Sequence, residues 1–172
     1  MKLREIIALG IALLLILALT MKKFVASSVT ARNVVRDWKD LAAKYSVAFQ
    51  IPTDVILAQI CVESSGDPAA MGHDTAGSVG LMQVTDGAIS DFNRWYHKQY
   101  TKADASDASR PWINIEIGTG YLKGVQSYYV KSHKLEDAIQ AYNGGAGLVG
   151  QPVVLEYLSR VLAYRTLIVP LI

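Results

Sequence analysis

The sequence of 172 residues predicts an all-α domain that follows an N-terminal apolar helix. Apolar residues recur at intervals of three and four residues through most of the chain, and no segment alternates apolar and polar residues as a strand does. Because 51% of the residues are hydrophobic, the chain can bury a core of its own. At most, we expect a small irregular hairpin between Ser65 and Gln83.

The N-terminal segment has the pattern of a membrane anchor. Residues 6–21 carry no charge and lie between Arg4 and the pair Lys22 and Lys23. As a helix this run is about 24 Å long, slightly short of a bilayer core of about 30 Å. The two lysines separate it from the small residues that a signal peptidase needs, which favours an uncleaved signal anchor over a removed signal peptide. We therefore predict a transmembrane helix at 1–23, a tether at 24–32 and a folded domain at 33–172.

The charge distribution argues against a nucleic-acid partner. The formal net charge is +2, but residues 33–172 hold twelve basic and fourteen acidic residues, so the folded part lacks a basic surface. Cys61 is the only cysteine and excludes an internal disulfide, and the three histidines are scattered without the spacing of zinc ligands. We expect neither a metal nor another cofactor.

Local patterns place the elements of the domain. Residues 33–49 predict an amphipathic helix, and Pro52 and Thr53 begin a second, with Thr53 as its N-cap. The glycine-rich residues 65–80 predict a long loop, which in a compact domain usually has a function. Further helices are expected at 86–100, 114–130, 135–142 and 153–169.

Glu63 is the strongest catalytic candidate. It lies on the last turn of an apolar helix and shares a helix face with Gln59, four residues earlier. Burial and the negative end of the helix both favour the protonated form of its carboxyl group. A protonated carboxylic acid is what general-acid cleavage of a glycosidic bond requires. On this pattern alone, a glutamate that turns toward solvent remains the alternative.

Three short motifs follow one another: Glu63-Ser64, Gly80-Leu81-Met82-Gln83 and Ala141-Tyr142-Asn143-Gly144-Gly145. With Ile113-Asn114-Ile115 as a middle helix and 157–164 as a closing helix, they resemble the lysozyme-like catalytic domain of soluble lytic transglycosylases and the related goose-type lysozymes. The resemblance covers about residues 52–164 and implies a compact helical lysozyme-like fold that cleaves the glycan strands of peptidoglycan. It also implies that Glu63 is the catalytic acid and base. The implied substrate-binding residues are Ser64, Met82, Gln83, Tyr142 and Asn143.

Each motif also has a structural interpretation. Gly80-Leu81 can serve as a turn, and Asn143-Gly144-Gly145 is a good helix end by itself. The aromatic residues Trp95, Tyr96, Trp112 and Tyr128 can stack on sugar rings, but core packing is the commoner role of such residues.

The role of Asp74 distinguishes two enzymatic reactions that the domain could catalyse. Counted back from Gly80, it falls where goose-type lysozymes have an aspartate and transglycosylases tend to have a serine. Those lysozymes tend to have a second aspartate where this sequence has Thr85, and Asp86 is one residue late. We therefore expect a lytic transglycosylase that leaves a 1,6-anhydromuramic end, with Asp74 as a secondary catalytic candidate. The alternatives are a muramidase in which Asp74 orients water, and an aspartate that only forms its own turn.

A non-enzymatic interpretation also fits an anchored helical domain. Such a domain can bind peptidoglycan without cleaving it, or be a structural part of an envelope-spanning complex or a virion. Glu63 argues against this, because a domain that had lost its chemistry would be expected to lose that residue first. The predicted location is the membrane, with the domain on the periplasmic, cell-wall side, or a phage particle.

Overall fold

The computed structural model describes residues 3–72 and 76–172, and helices dominate these ranges. The α-helices are α1 (Leu3–Phe49), α2 (Thr53–Ser64), α3 (Asp86–Tyr96), α4 (Lys102–Ala105), α5 (Pro111–Gly124), α6 (Leu135–Gly144) and α7 (Pro152–Ile168). A π-helical turn, Val125–Tyr129, continues α5, and short 3-10 turns lie at Ala146–Leu148 and Val169–Leu171. In the described ranges, β-type pairing is limited to isolated antiparallel bridges that join Val79 to Met71 and to Val84. The predicted all-α fold, with a small irregular hairpin at most, is confirmed.

Helix α1 runs without a break from the apolar N-terminal segment into the domain. Residues 24–32, predicted as a tether, are helical. They contain neither glycine nor proline, and extending a helix costs far less free energy than starting one. The core already includes Ala31 and Val34, which are 0% and 1% exposed. The division into anchor, tether and domain stays a prediction, but its middle segment is a rigid helix rather than an irregular connector.

The N-terminal stretch of α1 is apolar and lies outside the core. Among the described residues, one helical stretch, Ile11–Phe49, is long and apolar enough to cross a membrane by length and composition, and its most apolar window has a mean hydropathy of 1.8. None of that window is buried against the rest of the chain. Leaving such a surface in water is unfavourable, so this end of α1 needs an apolar environment.

Helix α2 is the centre of the core. It packs against α1 on one side and α7 on the other, and every side chain from Val55 to Cys61 is buried. The helix begins after Pro52, whose carbonyl oxygen accepts hydrogen bonds from the backbone N–H groups of Val55 and Ile56. The prediction that Thr53 is the N-cap is therefore wrong, because Thr53 is already the first helical residue.

A glycine on α5 allows the loop before α3 to approach closely. A Cβ atom at Gly118 would lie 2.6 Å from Met82 Sδ, well inside van der Waals contact. Only a residue without a side chain fits at this contact. Helix α5 therefore packs directly against the loop 80–83 and supports it.

Candidate active site

Glu63 lies one residue before the end of α2, and it is half-buried. The helix stops sharply because Ser65 adopts a left-handed conformation with φ 57°, and its backbone N–H donates to Cys61 O at 3.2 Å. The Glu63 carboxyl group is thus held at the edge of the core, next to α7. There the hydroxyl group of Tyr157 donates a hydrogen bond to Glu63 Oε1.

The buried side-chain amide of Gln59 forms a second hydrogen bond with Tyr157. Gln59 is 0% exposed, and its Nε2 donates to the hydroxyl oxygen of Tyr157 at 3.4 Å. Burial, and after it the charge of Glu63, raise the pKa of Tyr157 well above its ordinary value, so the hydroxyl keeps its proton and remains a donor. Gln59, Tyr157 and Glu63 therefore form a directed chain of hydrogen bonds that ends on the carboxyl group.

Tyr142 is the second aromatic residue beside Glu63. Its hydroxyl donates to the carbonyl oxygen of Met82 at 2.7 Å, which connects α6 to the loop 80–83. Burial and the nearby negative charge of Glu63 raise the pKa of Tyr142 well above its ordinary value. Tyr142 thus lies close enough to Glu63 to feel its charge, and its predicted role in sugar binding stays a prediction.

The side chains of Ser64 and Gln83 form hydrogen bonds with residues of the loop before α3. Ser64 Oγ donates to the carbonyl oxygen of Leu81 at 2.9 Å. Gln83 Nε2 donates to Gly80 O at 2.9 Å, and Gln83 Oε1 accepts from Ser78 Oγ at 2.9 Å. The bond from Ser64 fixes the loop to the end of α2, and the bonds of Gln83 lie within the loop, so both side chains position the loop. Their predicted role in sugar binding stays a prediction.

The structure corrects the role of Met82 and places Asn143 at the surface. The side chain of Met82 is 0% exposed and packs against Gly118, so it belongs to the core and does not line an open sugar site. Its main chain is what faces the site, through the bond from Tyr142. Asn143 lies exposed on the last turn of α6. Its role in substrate binding stays a prediction.

Asn114 on α5 is a positioning residue to which the sequence pattern assigned no role of its own. Its side chain is 2% exposed and makes three short hydrogen bonds. Oδ1 accepts from the backbone N–H of Met82 at 2.8 Å, and Nδ2 donates to Val79 O at 2.8 Å and to Ala105 O at 2.9 Å. One buried amide thus satisfies two backbone groups of the loop before α3 and one at the end of α4, which would otherwise be buried without partners.

We expect Asn114→Leu to lower the free energy of unfolding by about 3 kcal/mol, because it removes these bonds and leaves buried backbone groups unsatisfied. Urea unfolding followed by circular dichroism measures the change. Asn33→Leu, at an exposed position on α1, is the control and should change stability little. Equal stability of the two variants would contradict the positioning role.

Glu116 shows how a half-buried carboxylate is held when it is structural. Its side chain, 14% exposed, forms an ion pair with Lys98 at 3.2 Å. It also accepts a hydrogen bond from the Tyr100 hydroxyl at 3.0 Å. Glu116 is thus held by a lysine and a tyrosine from the segment that follows α3, which is typical of a structural carboxylate.

The remaining predicted site residue, Asp74, lies outside the described residues, and its role stays a prediction. Tyr157 and Gln59 are site residues that sequence reasoning missed. The sequence did hold a signal for Gln59, since it is a polar residue on an apolar helix four positions before Glu63. For Tyr157 the sequence indicated only that it lies in the closing helix.

Fold and site together define a helical lysozyme-like domain with one carboxyl group held by a tyrosine at the end of its central helix. The model of the Transglycosylase SLT domain matches residues 40–157. The chain therefore belongs to the transglycosylase SLT domain family.

Several curated relatives are similar in sequence. Membrane-bound lytic murein transglycosylase C from Sodalis glossinidius is 32% identical over 114 residues, which are 63% of this chain and 31% of the relative. Endo-type membrane-bound lytic murein transglycosylase A from Cronobacter sakazakii is 28% identical over 115 residues, which are 64% of this chain and 56% of the relative. The matches thus span about a third to a little over half of the length of these relatives.

Solved structures agree on the fold. The 70 kDa soluble lytic transglycosylase from Escherichia coli superimposes with a TM-score of 0.65 at 24% identity, over 76% of this chain and 24% of that one. A complex of the 70 kDa soluble lytic transglycosylase with bulgecin A gives a TM-score of 0.67 at 22% identity, over 80% of this chain and 25% of that one. This likeness confirms the predicted lysozyme-like fold.

Proposed function

We propose that this chain is a peptidoglycan lytic transglycosylase that cleaves the β-1,4 bond between N-acetylmuramic acid and N-acetylglucosamine. The observation that carries the proposal is the half-buried Glu63, which accepts a hydrogen bond from Tyr157 inside the region that matches the family. The names of the relatives, lytic murein transglycosylases, support the same substrate.

In the proposed reaction Glu63 first acts as a general acid. It gives its proton to the bridging oxygen as the bond from that oxygen to the anomeric carbon breaks, while the neighbouring acetamido oxygen bonds to the anomeric carbon. Glu63, now a carboxylate, then takes the proton from the C6 hydroxyl of the same sugar. The C6 oxygen bonds to the anomeric carbon and displaces the acetamido oxygen. Glu63 ends protonated, and no water is consumed.

Residues around Glu63 supply the geometry of these two steps. The hydroxyl of Tyr157 donates to one carboxyl oxygen, Oε1, and so holds the carboxyl group in a fixed orientation for proton transfer. Tyr157 keeps its proton, because its pKa is raised well above the ordinary value, and so it remains a donor to the carboxyl group. Tyr142, fixed through Met82 O, is the proposed wall of the sugar site.

The product distinguishes the two reactions that the sequence leaves open. A transglycosylase yields muropeptides with anhydro ends, which are lighter by one water molecule than the reducing ends that a hydrolase yields. We expect mass spectrometry of a peptidoglycan digest to show anhydro ends. The variant Asp74→Asn should keep that product. Reducing ends from the unaltered protein, lost in Asp74→Asn, would instead support a muramidase with Asp74 as its second carboxylate.

We also propose that residues 1–23 anchor the protein in the membrane, with the domain on the periplasmic side. The apolar, exposed first half of α1 supports this, as do the lysines at positions 22 and 23, which suit the lipid headgroup region. Because α1 continues as one helix into the core, the anchor would hold the domain close to the membrane surface. The names of the membrane-bound relatives agree with this location.

Deleting residues 1–23 should move the protein from the membrane fraction to the soluble fraction without loss of peptidoglycan cleavage, because the site residues all lie after α1. Fractionation by ultracentrifugation, with and without detergent, measures this. If the shortened chain stays with membranes, the anchor proposal is incomplete. The exposed C-terminal residues Val169, Leu171 and Ile172 would then be the next membrane contact to delete.

A further inference from the structure

An exposed aromatic surface on α3 and the end of α5 has no part in the reaction proposed above. Trp95 is its centre, and its ring stacks on Tyr121 at a centroid distance of 5.9 Å. The rings of Tyr128 and Tyr129 each lie 5.3 Å from that of Trp95. We name these four residues the aromatic platform. Its outer rings are open to solvent, since Tyr128 is 66% exposed and Tyr129 is 41% exposed.

The end of α5 is shaped to hold these rings in place. A Cβ atom at Gly124 would lie 2.0 Å from Trp95 Cζ3, so only glycine lets the indole ring lie against the helix. The π-helical turn Val125–Tyr129 follows directly, and the backbone N–H of Val130 donates to Val125 O at 3.1 Å to close it. Such turns are rare and are frequent at functional sites. Here the turn brings two successive tyrosines into contact with Trp95.

Polar groups surround the rings. Arg94 pairs with Asp91 at 2.6 Å, and its guanidinium lies 5.7 Å from the ring of Trp95. The hydroxyl of Tyr129 donates to Asp91 Oδ2 at 2.6 Å. Rigid aromatic faces next to fixed donors and acceptors match a sugar, which has an apolar ring face and a rim of hydroxyl groups.

The platform is continuous with the candidate active site. The ring of Tyr121 meets the ring of Tyr142 edge to face, with a centroid distance of 5.5 Å. Tyr142 in turn lies near enough to Glu63 for that charge to raise its pKa. An unbroken series of rings therefore leads from the residue beside Glu63 to the exposed Tyr128.

We propose that the aromatic platform is a second glycan-binding site, which stacks N-acetylated sugar rings of the strand that Glu63 acts on, away from the bond that is cleaved. The choice of ligand rests on the proposed function, because the same polymer must pass the active site. Binding at both places would hold a long strand more tightly than a short one.

The test measures how affinity depends on chain length. The full chain in detergent micelles is titrated by calorimetry with N-acetylglucosamine oligomers, from the trimer to the longest soluble one. We expect the affinity of the unaltered protein to rise with length. Tyr128→Ala should weaken binding of the long oligomers about threefold to tenfold more than binding of the trimer, since one stacking contact is lost. Tyr128→Phe keeps the ring and should bind as the unaltered protein does.

Trp112→Ala is the matched control, because Trp112 is an aromatic residue with 41% exposure at the other end of α5. It should keep the dependence on length. The proposal is overturned if Tyr128→Ala weakens all lengths equally, if it weakens none, or if the unaltered protein binds no oligomer. This readout needs no turnover. A protein that forms no anhydro product but loses length dependence in Tyr128→Ala would refute the proposed reaction and support the platform.

Discussion

Replacing Glu63 by glutamine is expected to abolish peptidoglycan cleavage while the protein remains folded. The amide has the shape of the carboxyl group and can still accept the hydrogen bond from Tyr157, but it cannot give a proton to the bridging oxygen or take one from the C6 hydroxyl. Loss of both roles should lower kcat by about a thousandfold or more. Release of soluble muropeptides from purified peptidoglycan measures the rate, and circular dichroism confirms the fold.

Glu156→Gln is the matched control for this experiment. Glu156 is exposed on α7, next to Tyr157 in sequence, and carries the same chemical change at a surface position. It should retain the rate of the unaltered protein. If Glu63→Gln kept more than a tenth of that rate, Glu63 would not be the acid, and the non-catalytic interpretation of the domain would gain support.

Replacing Tyr157 by phenylalanine is expected to have the next largest effect. The ring stays in the core, but the hydroxyl that orients Glu63 and accepts from Gln59 is removed. A hydrogen bond to a charged group contributes about 1.5–3 kcal/mol, so we expect kcat to fall about tenfold to a hundredfold. The contact is to the carboxyl group rather than to sugar, so KM should change much less.

Tyr164→Phe serves as the control for Tyr157→Phe. Tyr164 lies two turns further along α7 and is half-buried, whereas Tyr157 is buried, and the same atom is removed from the same helix. Its rate should stay near that of the unaltered protein. A rise in KM with unchanged kcat in Tyr157→Phe would show that the hydroxyl binds substrate instead of positioning Glu63.

Local patterns predicted the longer helices but missed the short α4, which lies in a segment that has the composition of a polar connector, and they predicted the helix ends less well. The helix predicted at 86–100 stops at Tyr96, because His97 takes a left-handed conformation with φ 54°. The helix predicted at 114–130 begins at Pro111, where proline suits the first turn, and changes to a π-helical turn at Val125. Such endings depend on single backbone conformations that the spacing of apolar residues does not record.

The motif residues have different roles, which depend on whether the side chain or the main chain takes part in the site. Ser64, Gln83 and Met82 follow the pattern of the family, yet Ser64 bonds from α2 to the loop, Gln83 bonds within the loop, and the side chain of Met82 is buried against Gly118. A motif predicts that a residue matters to the site. It does not predict whether the side chain faces the substrate or supports the backbone that does.

The sequence by itself determined the helical class, the apolar N-terminal helix, the place of Glu63 at the end of an apolar helix and the three motifs that identify the family. These depend on neighbours within a few residues, where the periodicity of the helix applies. Only the tertiary structure brought Tyr157 to Glu63 across 94 positions and Asn114 to Val79 across 35. Contacts at such separations follow from how α2, α5 and α7 pack against one another, and the packing is set by the shapes of many side chains at once.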